Sequence, residues 1–413
     1  MMDWINEYKE RMDSPLFKCL LDSYSHLDEN ETTRVLIKLK SGTSINKLKD
    51  LCELSPSDLE LNHAVLLNYL SGKLSVKTIQ QLVVHPKVEK LYLDRKVQAF
   101  LDTAAKSMGK NYVNNIYGLT GKGVTIAVLD TGIHPHSDFT LPSNRIVGFV
   151  DMINRYPVPY DDHGHGTHVA GCAAGNGFAS KGRYSSLAPE AQLVGVKVLD
   201  KNGVGYLSTV ISGINYCIEK KALYNIKIIN LSLGSESIVP YQEDPLSHAA
   251  EQAMKAGIIV LMAADHTGLA DNITTFATNP NVITVGAASD RKTPIMDDEY
   301  ISLFTSKLQV IDSVIKPDVF FPGLCITAPL SPNSILANQL EPFVVNQNYI
   351  TLSGSSMATG LCSGAIALIL SAYPPLSSEK MMQLFLQYRQ GVPNIESYVK
   401  LPHLFQLLLK TPL

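Results

Sequence analysis

The sequence predicts an α/β fold, a parallel sheet with helices on both faces, preceded by a small α+β domain. Three observations carry this expectation. Beyond Gly121, short and nearly continuous apolar runs alternate with helical segments, the pattern of strands buried on both faces. Between residues 33 and 100, strand-like and helix-like stretches follow one another in a βα–βαβ rhythm, which suits a small open-faced domain. The chain is also long enough for more than one core: 413 residues, of which 45% are apolar and 18% charged.

The elements follow in order. Residues 1–30 form an N-terminal helical extension, with Trp4, Ile5, Tyr8 and Met12 at helical spacing, then Phe17, Leu20 and Leu21 beyond Pro15. Residues 33–100 form the small domain. In it Arg34 to Lys40 alternates as a strand, Ser44 caps a helix carrying Ile45, Leu48 and Leu51, a second helix runs through Val76, Ile79, Leu82 and Val83, and Val88 to Leu93 is a strand. Residues 101–120 are small and polar, as in an exposed connector. Residues 121–413 form the main domain. Its buried strands are expected at Val124–Leu129, Leu193–Leu199, Ile226–Leu231, Ile258–Met262 and Val282–Val285.

Composition excludes several classes of function. A net charge of −3 offers no electrostatic capture of nucleic acid or of an anionic membrane, so neither is an expected partner. Met357 to Tyr373 is the longest apolar stretch, but Thr359, Gly360, Ser363 and Gly364 interrupt it. The N-terminal stretch mixes charges of both signs and has no apolar core of the secretory kind, and the six cysteines are scattered singly. Reduced thiols and a cytoplasmic location are the expectation.

Three segments carry chemistry. Leu129-Asp130-Thr131-Gly132 places an acid at the carboxyl end of a buried strand, where open α/β sheets hold their sites. Alone, it also reads as a plain strand-to-turn junction. His163-Gly164-His165-Gly166-Thr167-His168 suggests either one catalytic histidine or a structural cluster. The glycines and the lack of further convergent ligands argue against zinc. Ser353-Gly354-Ser355-Ser356-Met357-Ala358 opens an apolar helix. A serine there is either a simple cap or a nucleophile beside helix N–H groups that stabilise an oxyanion.

The chain order Asp…His…Ser is that of the subtilisin-type triad. On these motifs the chain resembles the subtilisin-like serine proteases (subtilases), in particular their intracellular bacterial branch of the alkaline protease X type. The likeness runs from about Gly121 to Ala372 and takes in Asn230-Leu231-Ser232-Leu233-Gly234 and Lys316-Pro317-Asp318-Val319 as well. It implies a subtilisin-like sheet and a serine endopeptidase acting on a peptide or protein. Ser356 is then the nucleophile, His165 the general base and acid, Asp130 the group that orients His165, and His168 a packed structural residue. Gly203-Val204-Gly205 and Ser232-Leu233-Gly234 would line the substrate cleft, pairing with an extended peptide. Glycines 203 and 205 would make room for that peptide's backbone. Residues 33–100 stand where the family carries a propeptide, implying a zymogen with its own N-terminal domain as intramolecular inhibitor and a junction between about Phe100 and Lys110. No cofactor is required. Calcium stabilises many members, but no dense Asp/Asn cluster supports a site here, and no metal ligand is assigned.

The pattern departs from the family at two places. Where the family has Ala-Ala-Gly-Asn, this chain has Ala263-Ala264-Asp265-His266, so His266 takes the place of the oxyanion donor. Losing one such donor costs about 10²–10³ in kcat, a figure itself measured on a subtilisin; a neutral imidazole still donates one hydrogen bond. Ala263, Ala264 and Asp265 match a wall of the pocket for the residue before the cleaved bond. There the Asp265 carboxylate would favour Arg or Lys, unless it is simply a solvated loop acid. Gly360 replaces a proline and is expected to loosen the helix carrying Ser356. The alternative reading is a catalytically impaired subtilase that serves as a binding or regulatory pseudoprotease.

Overall fold

The computed structural model describes residues 3–25, 32–40, 69–94, 96–99, 118–234, 240–264, 275–289, 300–301, 309–311, 314–374, 376–391, 399, 404 and 407–408. The helix expected through Ile45 and Leu51, most of the connector, and Asp265 and His266 lie outside them.

The N-terminal part is built from α1 (Asp3–Glu7), α2 (Ser14–Ser25), β1 (Thr32–Leu39), β2 (Tyr69–Ser75), α3 (Val76–Val84) and β3 (Val88–Leu93). The strands form an antiparallel sheet in the order β2-β1-β3. Strand β1 shows the period of two: Val35, Ile37 and Leu39 join Trp4, Ile5, Leu16, Leu20, Ile79 and Leu82 in one core, whereas Leu36 faces the opposite way. The N-terminal helices therefore share a core with the small domain. Asp13 fixes the junction, its Oδ1 accepting from Leu16 N at 2.9 Å and Leu93 N at 3.0 Å. A short strand, β4 (Lys96–Ala99), follows.

The main domain continues with β5 (Thr125–Asp130), α4 (Ser137–Thr140), β6 (Ile146–Asp151), α5 (His165–Ala174), β7 (Gln192–Lys197), β8 (Val204–Tyr206), α6 (Leu207–Tyr224), β9 (Ile226–Leu231), β10 (Leu233–Gly234) and α7 (Pro245–Lys255). After these come β11 (Ile259–Ala263), β12 (Ile283–Ser289), β13 (Tyr300–Ile301), β14 (Gln309–Ile311), β15 (Val314–Lys316), β16 (Val319–Pro322) and β17 (Ile326–Pro329). The last elements are α8 (Ile335–Gln339), β18 (Val344–Val345), β19 (Tyr349–Leu352), α9 (Ser355–Ala372) and α10 (Ser378–Gly391).

The central sheet runs β13-β12-β11-β9-β5-β7-β6, with β16 also on β12; all its pairings are parallel except that of β13. From β5 the chain builds toward β7 and β6 on one side, then returns to lay β9, β11 and β12 on the other. Strand β5 is thus the switch point, and its carboxyl end is where such a sheet opens a crevice. Its residues divide between two layers: Ile126 and Val128 face α5 and α9, while Ala127 and Leu129 face α6 and α7. By length and hydropathy α9 would pass for a membrane span, yet it is the buried central helix of the domain. It crosses α5 closely. A Cβ at Gly360 would lie 2.7 Å from Cys172 Cβ and 2.9 Å from Val169 O. Gly360 therefore seats the helix against α5 rather than loosening it.

Polar ties hold the layers in register. Asn230 Nδ2 donates to Ser363 Oγ at 3.0 Å, and the Ser232 hydroxyl donates to Asn230 Oδ1 at 2.9 Å. Asp318 Oδ2 accepts from buried Lys316 Nζ at 2.6 Å and from Thr284 N at 2.8 Å, locking β16 to β12.

The small domain docks on α6 and α7. Leu36, Tyr69 and Tyr92 enter the same core as those helices. Around them, Asp94 Oδ1 accepts from Ser208 N at 2.9 Å and its Oδ2 from Ser208 Oγ at 2.7 Å, so Asp94 caps α6 from another part of the chain. Arg34 pairs with Asp94 and stacks 3.8 Å over the Tyr206 ring. Lys90 meets Glu243 at 2.9 Å, and Tyr69 meets His248 at 3.1 Å.

Candidate active site

Asp130 is the last residue of β5, fully buried, and Thr131 N donates to its Oδ1 at 2.7 Å. His165 opens α5 and is also fully buried. Its Nδ1 lies 2.8 and 3.0 Å from the two Asp130 oxygens. A carboxylate only accepts, so Nδ1 carries the hydrogen, and in the neutral ring Nε2 is the basic nitrogen. The contact needs the start of α5 pressed against the end of β5. Gly166 permits this, since a Cβ there would run into Gly132 O and come within 3.0 Å of Asp130 Cβ.

A second carboxylate holds this junction. Asp161 accepts from Thr131 Oγ1 at 2.9 Å, Gly164 N at 2.8 Å, Thr167 N at 2.9 Å and Thr167 Oγ1 at 2.7 Å. Burial alone would raise its pKa, but the Thr167 and Gly164 donors, with Lys197 nearby, hold it below the usual carboxylate range. Lys197, fully buried on β7 opposite Asp130, donates to Thr131 O at 2.6 Å and Asp162 Oδ1 at 2.7 Å. Sequence reasoning passed over Asp161 and Lys197. The acidic pair before His163 was the available signal for the first, and nothing local pointed to the lysine.

His168 is a packing residue. Its Nε2 lies 3.0 Å from Ile326 O and 3.1 Å from Ile350 O, and burial pushes its pKa down to about 3, so it stays neutral and donates to β17 and β19. His163 is buried beside His165, and burial lowers its pKa too.

Ser356 sits in the first turn of α9, at its amino end, where backbone N–H groups and the helix dipole favour negative charge. Its Oγ is 3.5 Å from Ser232 O, and Ser232 Oγ reaches Ser356 O at 3.3 Å. The start of α9 is thereby pinned to the loop between β9 and β10. Ala263 and Ala264 are buried at the end of β11, and Ala264 N donates to Val285 O at 3.0 Å. The residues that follow, Asp265 and His266, are outside the described set, so their expected roles rest on sequence.

Val204–Gly205 and Leu233–Gly234 of the two expected cleft segments lie in strands, and each strand faces the same partner. Strand β4 lies between β8 and β10, antiparallel to both. Lys96, Val97 and Gln98 pair with Tyr206, Gly205 and Val204, while Gln98 and Ala99 pair with Gly234 and Leu233. The glycines are also required by contacts within the domain. A Cβ at Gly205 would strike Val198 O of its own domain, and Gly203, at φ +73°, would bring one within 3.0 Å of His163 Nε2. Glycine at both positions lets this segment pack closely on β7's end and on His163.

Among the described residues, no cluster of three or more His, Cys, Asp or Glu could hold a metal ion. The buried Asp138 carboxylate takes donors instead: Tyr349 OH at 2.8 Å, Gly177 N at 3.1 Å and Ala179 N at 3.0 Å. Those donors do not suit a calcium ligand set.

The chain was compared with known proteins. The subtilase family model matches residues 121–396. Serine protease AprX of Bacillus subtilis (strain 168) is 42% identical over 345 residues, covering 80% of this chain and 76% of that protein. The major intracellular serine protease of the same organism is 36% identical over 264 residues, 62% of this chain and 70% of that one. Among solved structures, fervidolysin from Fervidobacterium pennivorans, a keratinolytic enzyme related to subtilisin, superposes with a TM-score of 0.68 at 19% identity, a likeness of fold. The match covers 92% of this chain and 62% of that one. The relatives are proteases, and nothing among them supports the pseudoprotease alternative.

Proposed function

The chain belongs to the subtilase family and is a serine endopeptidase, and on that premise we propose that it is made as a zymogen whose N-terminal residues block its own substrate cleft. The observation that carries the reading is β4, the middle strand of a three-stranded sheet with β8 and β10. Those are the segments that the family resemblance assigns to an extended peptide substrate. A strand bonded on both sides leaves no free edge there for another peptide.

In the proposed reaction Ser356 Oγ attacks the scissile carbonyl, His165 takes its proton and returns it to the leaving amine, and Asp130 keeps the ring in its Nδ1–H form. The 2.8 Å contact of His165 with Asp130 supports the last role. The Ser356 N–H serves as one oxyanion donor and His266 as the second. The compartment proposed is the cytoplasm, supported by similarity to a relative named as intracellular.

The test is labelling with a fluorophosphonate serine-hydrolase probe, beside Ser356→Ala, before and after brief limited proteolysis. Labelling should need Ser356 and should rise when the 101–120 connector is cut. Equal labelling of the intact and nicked chains would refute the zymogen. No labelling of either would refute a competent site.

A further inference from the structure

Lys197 is a fully buried cation whose partners stand at the catalytic junction. It ends β7, and in the parallel pairing with β5 it lies opposite Asp130. Its ammonium donates to Thr131 O at 2.6 Å and to Asp162 Oδ1 at 2.7 Å, and lies 5.1 Å from the centre of the Tyr160 ring. Thr131 in turn donates through its N–H to Asp130 Oδ1 at 2.7 Å and through Oγ1 to Asp161 Oδ1 at 2.9 Å. One residue thus separates the lysine from the carboxylate that holds His165. The desolvation of a buried ammonium is repaid only in part by one partly exposed carboxylate, so packing alone gives no reason for a charge at this position.

The charges around His165 give one. The elements packed against α5 are β5, β7, α4, α9 and β17. Strand β5 brings Asp130, and β7 brings Lys197. Helix α4 brings Asp138, which lies 3.6 Å from His136 and takes the Tyr349 hydroxyl, while α9 and β17 bring no charged residue. The loop before α5 adds Asp161, Asp162 and His163, and α5 itself adds the neutral His168. His134, after β5, donates its backbone N–H to Thr167 Oγ1. Asp130, Asp161 and Asp162 each favour an imidazolium at His165; among these groups Lys197 is the cation that opposes it. The same field acts on His163, where burial and His165 lower the pKa, Asp161 and Asp130 raise it, and Lys197 lowers it.

We infer that Lys197 is a positioning residue for the reaction and acts through charge: its buried ammonium offsets the carboxylates around His165, so that the imidazole stays free to accept the Ser356 proton at lower pH. This rests on the triad proposed above.

The experiment uses the full-length chain after brief limited proteolysis. The second-order rate constant for fluorophosphonate labelling of Ser356 is followed across the histidine range, about pH 5 to 9, in the parent, Lys197→Met and Asp162→Asn. In the labelling step Ser356 Oγ bonds to phosphorus, His165 takes the hydroxyl proton and fluoride leaves. The rate therefore follows the fraction of His165 that is free to accept a proton. Losing the cation should raise the midpoint of the acid limb by about half a unit to one unit, and losing one carboxylate should lower it by about half as much. Opposed directions separate charge from packing, since a merely structural lysine would slow labelling at every pH and leave the midpoint in place. An unmoved midpoint in folded Lys197→Met overturns the inference, as does an unmoved or raised one in Asp162→Asn. The Asp162 side chain is 36% exposed, so its variant decides the matter should Lys197→Met fail to fold. A parent chain that is never labelled overturns both the inference and the triad beneath it, whereas a labelled parent with unmoved midpoints in the variants overturns the role of Lys197 alone.

Discussion

Replacing Asp94 by alanine tests how the small domain is held against α6 and α7. The Asp94 carboxylate is fully buried and accepts from Ser208 N, Ser208 Oγ and Arg34 Nε. Burial raises its pKa, and the Ser208 and Arg34 donors work against that rise. Losing a helix cap costs about 1 kcal/mol, and a buried N–H left without a partner about 1–3 kcal/mol. Arg34 softens the loss, because its side chain is 14% exposed and keeps its seat over Tyr206. A net weakening of about 2–3 kcal/mol follows, or about 30- to 150-fold in the docking equilibrium. The assay is amide hydrogen exchange of the peptides spanning 96–99 and 204–206, in a Ser356→Ala background so that no cleavage intervenes. Protection should fall by that factor in Asp94→Ala and by less in Asp94→Asn, which keeps one acceptor. Protection within about threefold of the parent, in a chain that melts normally, would refute the argument that this cap anchors the domain.

Gly360→Ala should destabilise by about 1–3 kcal/mol through overpacking against Cys172 and Val169, although alanine is the better helix former; urea denaturation measures it, and a gain in stability would show that α5 gives way. His168 titrates lower in the fold, at about 3, than in the unfolded chain, where it is near 6.5. The unfolded state therefore binds its proton first, and the contribution of His168 is present above about pH 6.5 and lost as pH falls toward 3. Stability of Ser356→Ala should drop between pH 7 and pH 4.5, and less steeply once His168→Asn is added; parallel curves would refute the assignment. The double change Asp265→Gly, His266→Asn should raise kcat by about 10², the scale of one oxyanion donor. Unchanged kcat would show that His266 already donates as well as asparagine.

What could be read from sequence was whatever is coded locally. The acid ending β5, the histidine opening α5 and the serine opening α9 each sit where a strand or helix terminates, and the apolar runs of β5, β7, β9, β11 and β12 announce themselves. Strand β2 did not, because Ser71, Gly72 and Lys73 break its apolar pattern. Strand β6 has Gly148 at its centre, and β16 ends in Pro322. Other features depend on partners far along the chain. The role of Asp94 is set by Ser208, that of Gly360 by Cys172, and that of Gly205 by Val198 O. No window around any of them contains the reason. Nothing around the buried lysines Lys197 and Lys316 shows the partners that hold them, Thr131 O and Asp162 for one and Val282 O and Asp318 for the other.

The order of β4 and α9 along the chain has a consequence during synthesis. A ribosome delivers β4 long before it delivers Ser356, and domains made first tend to fold first. The Ser356 helix takes its seat against α5 only after the β-sheet beneath it has been translated. On the proposed zymogen reading, each nascent copy carries its guard before it carries its blade, and an incomplete copy ending short of α9 would hold the guard with no nucleophile at all.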